Sequence, residues 1–104
     1  MAEYVNAIPA DEIAPETAAV VEVEGREVAV VNTGGRFYAL QNECTHANFP
    51  IGEGDLVGEG VIECPGHASH FNVLTGEVIQ GPATEPLETY DVEVVDGMVR
   101  VALE

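Results

Sequence analysis

The clearest pattern of apolar and polar positions lies near the end of the chain. Apolar and polar side chains alternate over residues 90–95, Asp96 and Gly97 follow, and a second mostly apolar run covers residues 98–103. A period of two places successive side chains on opposite faces of a strand, and Asp-Gly favours a two-residue hairpin turn. The segment therefore predicts a β-hairpin with one buried face.

Short apolar segments with β-branched or aromatic residues recur between turn residues along the rest of the chain. They lie at residues 20–23, 28–31, 37–40, 57, 61–62, 71–73 and 78–79. Such runs, separated by glycine-containing turns, are typical of antiparallel strands. The one helical candidate is a turn at residues 10–13, which Pro9 and Pro15 bound. The pattern predicts an all-β chain, and periodicity alone would also fit an immunoglobulin-like sandwich.

Two short segments carry residue types that bind metals. One reads Cys-x-His, with Cys44 and His46, and the other reads Cys-x-x-His, with Cys64 and His67. Each segment supplies one thiolate and one imidazole, so the two segments side by side would form a site of two sulfur and two nitrogen ligands. Such a set can hold one metal ion or a small cluster.

Three other readings of these residues are open. A structural zinc site uses the same ligand types, although familiar zinc patterns pair like residues within one arm. A Cys44–Cys64 disulfide would suit a secreted domain, but two cysteines are few for a disulfide framework and nothing resembling a signal peptide opens the chain. A catalytic Cys–His pair would leave the second arm unexplained.

The two arms resemble the ligand loops of the Rieske family, in which two histidines replace two cysteines on one iron of a [2Fe-2S] cluster. The resemblance extends over residues 35–101, where residues 35–40 are similar to the strand that leads into the first cluster loop. Residues 81–83 are similar to a proline-containing loop that folds over the cluster. The resemblance implies one [2Fe-2S] cluster held by Cys44, His46, Cys64 and His67.

The family fold implies an all-β architecture of stacked antiparallel sheets in a single domain, residues 1–104. A cluster-binding subdomain at about 42–83 is expected to be inserted into a base formed by residues 1–41 and 84–104. Relatives with a high-potential respiratory centre carry an extra cysteine in each loop, joined as a disulfide. Phe49 and Gly66 stand at those positions, so the resemblance favours soluble ferredoxins that serve multicomponent oxygenases.

Three further residues are candidates for contact with the cluster. Ser69 could donate a hydrogen bond to a cluster sulfur, which would raise the potential, or it could be an ordinary loop serine. Phe49 and Pro82 are expected to be hydrophobic covers, although either could be a plain core residue. Phe71 stands where high-potential relatives carry a tyrosine, so that hydroxyl is missing.

Composition narrows the setting of this domain. The 104 residues include nineteen Asp and Glu against three Arg, for a formal charge of −16. This charge disfavours binding to nucleic acid or to anionic membranes and favours basic partners, although acidity can also serve solubility alone. No run of eighteen apolar residues exists, so we expect no membrane span, a cytoplasmic location and a monomer.

The histidine count bears on enzymatic activity. His70 is the one histidine left after two have bound a cluster, and we expect it to be exposed. A Rieske oxygenase also needs a mononuclear iron held by two histidines and a carboxylate, so the chain is not expected to be an enzyme.

The resemblance implies a one-electron carrier that takes electrons from a flavin-dependent NAD(P)H reductase. It would pass them to a separate terminal ring-hydroxylating oxygenase. The alternative is a fixed electron-transfer subunit of another oxidoreductase, such as a nitrite reductase, or a redox sensor.

Overall fold

The computed structural model describes residues 3–45, 49–66, 69–81 and 83–103. These residues form antiparallel strands and two short 3-10 turns, Ala10–Glu12 and Ile51–Glu53. The strands are β1 (Tyr4–Pro9), β2 (Thr17–Val23), β3 (Arg26–Thr33), β4 (Arg36–Gln41), β5 (Asp55–Gly58), β6 (Val61–Glu63), β7 (His70–Asn72), β8 (Val78–Gln80), β9 (Thr89–Val95) and β10 (Met98–Ala102). The all-β prediction is confirmed, and the first 3-10 turn lies where a helical turn was predicted. Within the described ranges, no helix is long and apolar enough to cross a membrane.

The larger sheet has six strands in the order β1-β10-β9-β4-β3-β2. Its predicted terminal hairpin is confirmed, with Val95 opposite Met98 across the turn. Asp96 and Gly97 have φ values of 51° and 76°, and a tight hairpin turn with positive φ at both central positions explains why Asp-Gly suits this place. One apolar core lies against this sheet, and its fully buried members include Val28, Val30, Val99 and Val101.

Strand β1 was not predicted from the sequence. It pairs with β10 and forms one edge of the larger sheet, with a register shift between Asn6 and Ile8. Asparagine, alanine and proline are poor strand formers, so the segment shows no β-branched run. Pro9 is tolerated because it ends an edge strand. Long-range pairing with β10, rather than local preference, holds the segment extended.

The smaller sheet has four strands in the order β5-β6-β7-β8, and all of it comes from residues between β4 and β9 of the larger sheet. Its hairpins confirm the strands predicted around the glycine-containing turns. A second apolar core lies against it and contains the fully buried Ile51, Ile62 and Phe71. The smaller sheet is therefore an insertion within the path of the larger one.

The two sheets meet where the 3-10 turn Ile51–Glu53 packs on β2. A Cβ atom built on Gly52 would lie 2.8 Å from the backbone carbonyl carbon of Ala19, so only glycine allows this approach. Ile51, beside it, is fully buried. Directly after the first cysteine segment, the chain therefore packs against the larger sheet again.

Candidate metal centre

Each cysteine lies at the start of a loop that its own backbone amide helps to close. The N–H of Cys44 donates to the carbonyl oxygen of Phe49 at 3.0 Å, and the N–H of Cys64 donates to the carbonyl oxygen of Ser69 at 2.8 Å. The first loop follows β4, and the second joins β6 to β7. Each of the two loops therefore contributes one cysteine, at the position where the loop begins.

The structure brings both cysteines into one apolar cluster. Their exposed fractions are 2% for Cys44 and 1% for Cys64, and both belong to the core that contains Ile62 and Phe71. No disulfide joins these two described cysteines. A non-disulfide cysteine is often buried simply as a small apolar residue, so burial alone assigns no role. Two thiols delivered to one apolar region by separate loops do fit the sulfur half of a cluster site.

The other predicted ligands, His46 and His67, lie outside the described residues, as does the predicted cover Pro82. The roles of these three residues stay predictions. The described part of the site comprises residues 44–45, 49, 64–66 and 69.

Ser69 is fully buried, and its hydroxyl holds a neighbouring segment in place. The Oγ atom accepts a hydrogen bond from the backbone N–H of Ala83 at 3.0 Å. This bond connects the second cysteine loop to the segment that follows Pro82. Because a serine hydroxyl can accept and donate at once, its own hydrogen remains available for a further acceptor.

Phe49 and Gly66 connect the two cysteine loops directly. A Cβ atom built on Gly66 would overlap the ring of Phe49, so the ring lies against the glycine backbone. Phe49 as a whole is 38% exposed and forms part of the rim of the site. High-potential Rieske proteins were expected to carry the disulfide cysteines at these two positions, and here the two residues are in contact.

Asn42 positions the first loop, a role that the sequence analysis missed. Its side chain is 5% exposed, and its Oδ1 accepts from the N–H of Gly52 at 2.9 Å. Its backbone oxygen accepts from the N–H of Ile51 at 2.6 Å. An asparagine two positions before Cys44 was a visible signal, since a buried amide must satisfy several hydrogen bonds.

A second contact that the sequence analysis missed connects the first loop to the segment before β9. The hydroxyl of Thr45 donates to the backbone oxygen of Glu85 at 2.6 Å. No local pattern in the sequence predicts this contact, because the two residues are separated by forty positions.

The expectation that His70 is exposed was wrong. Its side chain is 22% exposed, and Nε2 lies 3.1 Å from Oε2 of Glu63, which is directly opposite on β6. A carboxylate at this cross-strand position holds the imidazole against the sheet, because paired residues on one face of an antiparallel sheet lie close together. His70 is therefore held by Glu63 at the start of β7, next to the second cysteine loop.

The surface beside the first loop is strongly acidic. An open groove of about 720 Å³ reaches the exposed ring of Phe49. Its charged lining residues are Glu27, Glu43, Glu53, Glu88 and Arg26. The excess of carboxylates makes the local potential negative and favours cationic groups in this groove.

Comparisons with known proteins agree with this arrangement. The family described as the Rieske [2Fe-2S] domain matches residues 3–91. The 3-phenylpropionate/cinnamic acid dioxygenase ferredoxin subunit of Escherichia coli (strain K12) is 42% identical over 76 residues, covering 73% of this chain and 72% of the relative. The ferredoxin of carbazole 1,9a-dioxygenase from Nocardioides aromaticivorans IC177 is 34% identical with a TM-score of 0.90, over 97% of this chain and 98% of that one.

A further solved structure is similar over nearly the whole chain. It is described as a complex of reduced oxygenase and oxidized ferredoxin in carbazole 1,9a-dioxygenase, and the matched chain is 39% identical with a TM-score of 0.88. The match covers 97% of this chain and 94% of that one. With its fold, its paired cysteine loops and these similarities, the chain belongs to the Rieske [2Fe-2S] domain family.

Proposed function

We propose that this protein is a one-electron carrier, taking electrons from a flavin-dependent NAD(P)H reductase and delivering them to a terminal ring-hydroxylating oxygenase. The observation that carries the proposal is that two separate loops bring Cys44 and Cys64 into one apolar cluster. Similarity to ferredoxin components of two different dioxygenases supports the same assignment.

In the proposed site, Cys44 and Cys64 would hold one iron as thiolates, and His46 and His67 would hold the other through neutral imidazoles. When bound, the cluster supplies a one-electron redox couple. The two thiols must lose their protons for this role. The backbone N–H groups of Cys44 and Cys64 donate hydrogen bonds within their own loops and fix the cysteines in place. The two histidines are the proposed electron ports.

The surrounding residues of the chain keep solvent away from the thiolates. Phe71 and Ile62 close the buried side, and the ring of Phe49 covers part of the rim. A less hydrated site strengthens the effect of every nearby dipole on the potential. Ser69 is the proposed donor to a sulfur, because its buried hydroxyl accepts from Ala83 and can still donate. Pro82 is a proposed further cover.

A carrier role, rather than catalysis, follows from the available side chains. A mononuclear oxygenase iron needs two more histidines and a carboxylate, whereas the chain has three histidines in total. The third, His70, is held by Glu63. Oxygen activation is therefore assigned to the partner oxygenase, and this chain contributes the electron.

The acidic surface supports docking to basic patches on both partners. Glu43 and Glu53 are exposed beside the first loop and line the same groove as Phe49. The formal charge of −16 opposes binding to nucleic acid. We further propose a monomer in the cytoplasm, with residues 1–104 as one domain and residues of about 42–83 as its cluster-binding subdomain.

The alternative of a fixed subunit in another oxidoreductase, such as a nitrite reductase, has weaker support. The relatives and structures at 34 to 42% identity described above are ferredoxins of dioxygenase systems. These similarities favour a carrier that moves between two partners.

The proposal is tested by reconstituting electron flow with a purified flavoprotein reductase and a terminal oxygenase from a dioxygenase system. Product formation from an aromatic substrate should require all three proteins and should follow the concentration of this chain. Cys64→Ser should abolish it, whereas Leu74→Ala, at an exposed apolar position in a turn, should leave it unchanged. Full turnover without this chain, or with Cys64→Ser, would contradict the carrier role.

A further inference from the structure

The contact between Phe49 and Gly66 joins the two cysteine loops at the rim of the site. The backbone of Phe49 bonds to Cys44 in its own loop, while its ring lies on Gly66, two positions after Cys64 in the other loop. One side chain thus spans both cysteine loops. The carbonyl oxygen of Phe49 accepts a hydrogen bond of 3.0 Å from Cys44, and the ring of Phe49 packs on the backbone of Gly66.

Gly66 is glycine for reasons of space. It is not among the described glycines with positive φ, so its backbone conformation is open to any residue. A Cβ atom at this position would instead overlap the ring of Phe49. Ring and glycine therefore fit each other as a pair, and a change at either position should be felt at the other.

We propose that Phe49 and Gly66 form a noncovalent clasp that fixes the spacing of the two cysteine loops, with Phe49 as a positioning residue for the metal centre. The inference rests on the proposed function for the identity of the bound group, and on the contact itself for the clasp. The clasp holds the two loops at one separation where Phe49 meets Gly66, so that Cys44 and Cys64 would present their sulfur atoms to a bound group in one geometry. Its aromatic ring also limits the access of water and chelators at the rim.

The test is a double-mutant cycle on the purified holoprotein, using Phe49→Ala, Gly66→Ala and the double variant. Gly58→Ala is the matched glycine control. A Cβ atom at Gly58 would have its nearest neighbour 3.9 Å away, and the backbone there does not have a positive φ. Leu74→Ala is the control for loss of an exposed apolar side chain. The readouts are the rate of cluster loss to an iron chelator and the electron paramagnetic resonance spectrum of the reduced protein.

Each single variant should lose the cluster about threefold faster or more, and Gly66→Ala should alter the spectrum because the displaced ring moves one loop. In the Phe49→Ala background, Gly66→Ala should have almost no further effect on rate or spectrum, since the collision partner is gone. Both controls should behave as wild type. Additive effects, or an unchanged rate and spectrum in Gly66→Ala, would overturn the clasp.

The metal content of the wild-type protein shows, independently of the clasp, whether the proposed function fails. A wild-type protein that binds zinc or no metal would contradict that function, and the same cycle would then be measured by denaturant unfolding of the chain as purified. Coupling of about threefold or more in the unfolding constant supports the clasp there, and zero coupling overturns it.

Discussion

The hydroxyl oxygen of Ser69 lies 3.0 Å from the backbone nitrogen of Ala83 and accepts its hydrogen bond in a fully buried setting. The bond joins the second cysteine loop to the segment beyond Pro82. Ser69 therefore has two roles in our interpretation: it supports this segment, and it offers its hydrogen to a cluster sulfur. A single substitution can separate these roles if the measurements are chosen for each.

Ser69→Ala should lower the reduction potential on the order of 60 mV, because a lost donor to a negatively charged acceptor is worth about 1.4 kcal/mol or more. It should also lower the free energy of unfolding by about 1–3 kcal/mol, since the buried N–H of Ala83 loses its acceptor. Voltammetry and denaturant unfolding measure the two effects. The control Thr17→Val removes a hydroxyl on β2 that donates to the carbonyl oxygen of Ala14 at 2.6 Å, and it should leave the potential unchanged. An unchanged potential in Ser69→Ala would limit Ser69 to its structural role.

Asn42→Ala should destabilise the first loop by about 1–3 kcal/mol, because the buried N–H of Gly52 would lose its acceptor. Asn42→Asp keeps that acceptor but places a second carboxylate close to Glu27, whose oxygen lies 3.4 Å from Nδ2 of Asn42. Adding Glu27→Gln to Asn42→Asp should recover stability. Thermal unfolding measures all four proteins, and equal stability of Asn42→Ala and wild type would show that the loop is held elsewhere.

Glu16 should make a pH-dependent contribution to stability. Its carboxylate accepts hydrogen bonds from the N–H of Gly34 at 2.9 Å and the hydroxyl of Thr33 at 2.8 Å, and these bonds lower its pKa below the ordinary value of 4.5. The stabilisation is therefore present above pH 4.5 and is lost as the pH falls through the lowered pKa. Glu16→Gln should be less stable than wild type at pH 7, and the difference should shrink below that window.

Acid also relieves the repulsion within this highly anionic chain, so the quantity to measure is the difference between Glu16→Gln and wild type across pH, not either curve alone. Glu22→Gln, at an exposed position on β2, is the matched control for the loss of one negative charge. A pH-independent difference for Glu16→Gln would mean that its charge is not what the two donors stabilise.

Electrostatic docking predicts that association with both redox partners slows steeply with salt, as the screening length falls from about 10 Å at 0.1 M to about 3 Å at 1 M. Glu43→Lys and Glu53→Lys, beside the first loop, should slow association more than Glu22→Lys on the larger sheet. Stopped-flow mixing with reductase or oxygenase measures these rates. Equal effects at both places, or rates indifferent to salt, would assign the acidity to solubility.

The hairpins of this fold were predictable because their signals are local. Asp96-Gly97 and the alternation before it determine one hairpin without reference to any distant residue. Strand β1 was missed because its partner is β10, at the other end of the chain. The four candidate ligands were identified by their type and spacing, and their assignment stays a prediction. The contact of Phe49 with Gly66, the bonds of Asn42 and the engagement of His70 depend on how loops meet in space, which no spacing shows.

The central claim is that two cysteine loops hold a Rieske cluster, and the most direct test combines iron and sulfide analysis with electron paramagnetic resonance of the reduced protein. We expect a brown protein with the iron and acid-labile sulfide of one [2Fe-2S] cluster per chain and a rhombic signal, both lost in Cys44→Ser and in His67→Ala. A colourless protein containing zinc, or an iron protein whose signal survives replacement of Cys44, would contradict the assignment.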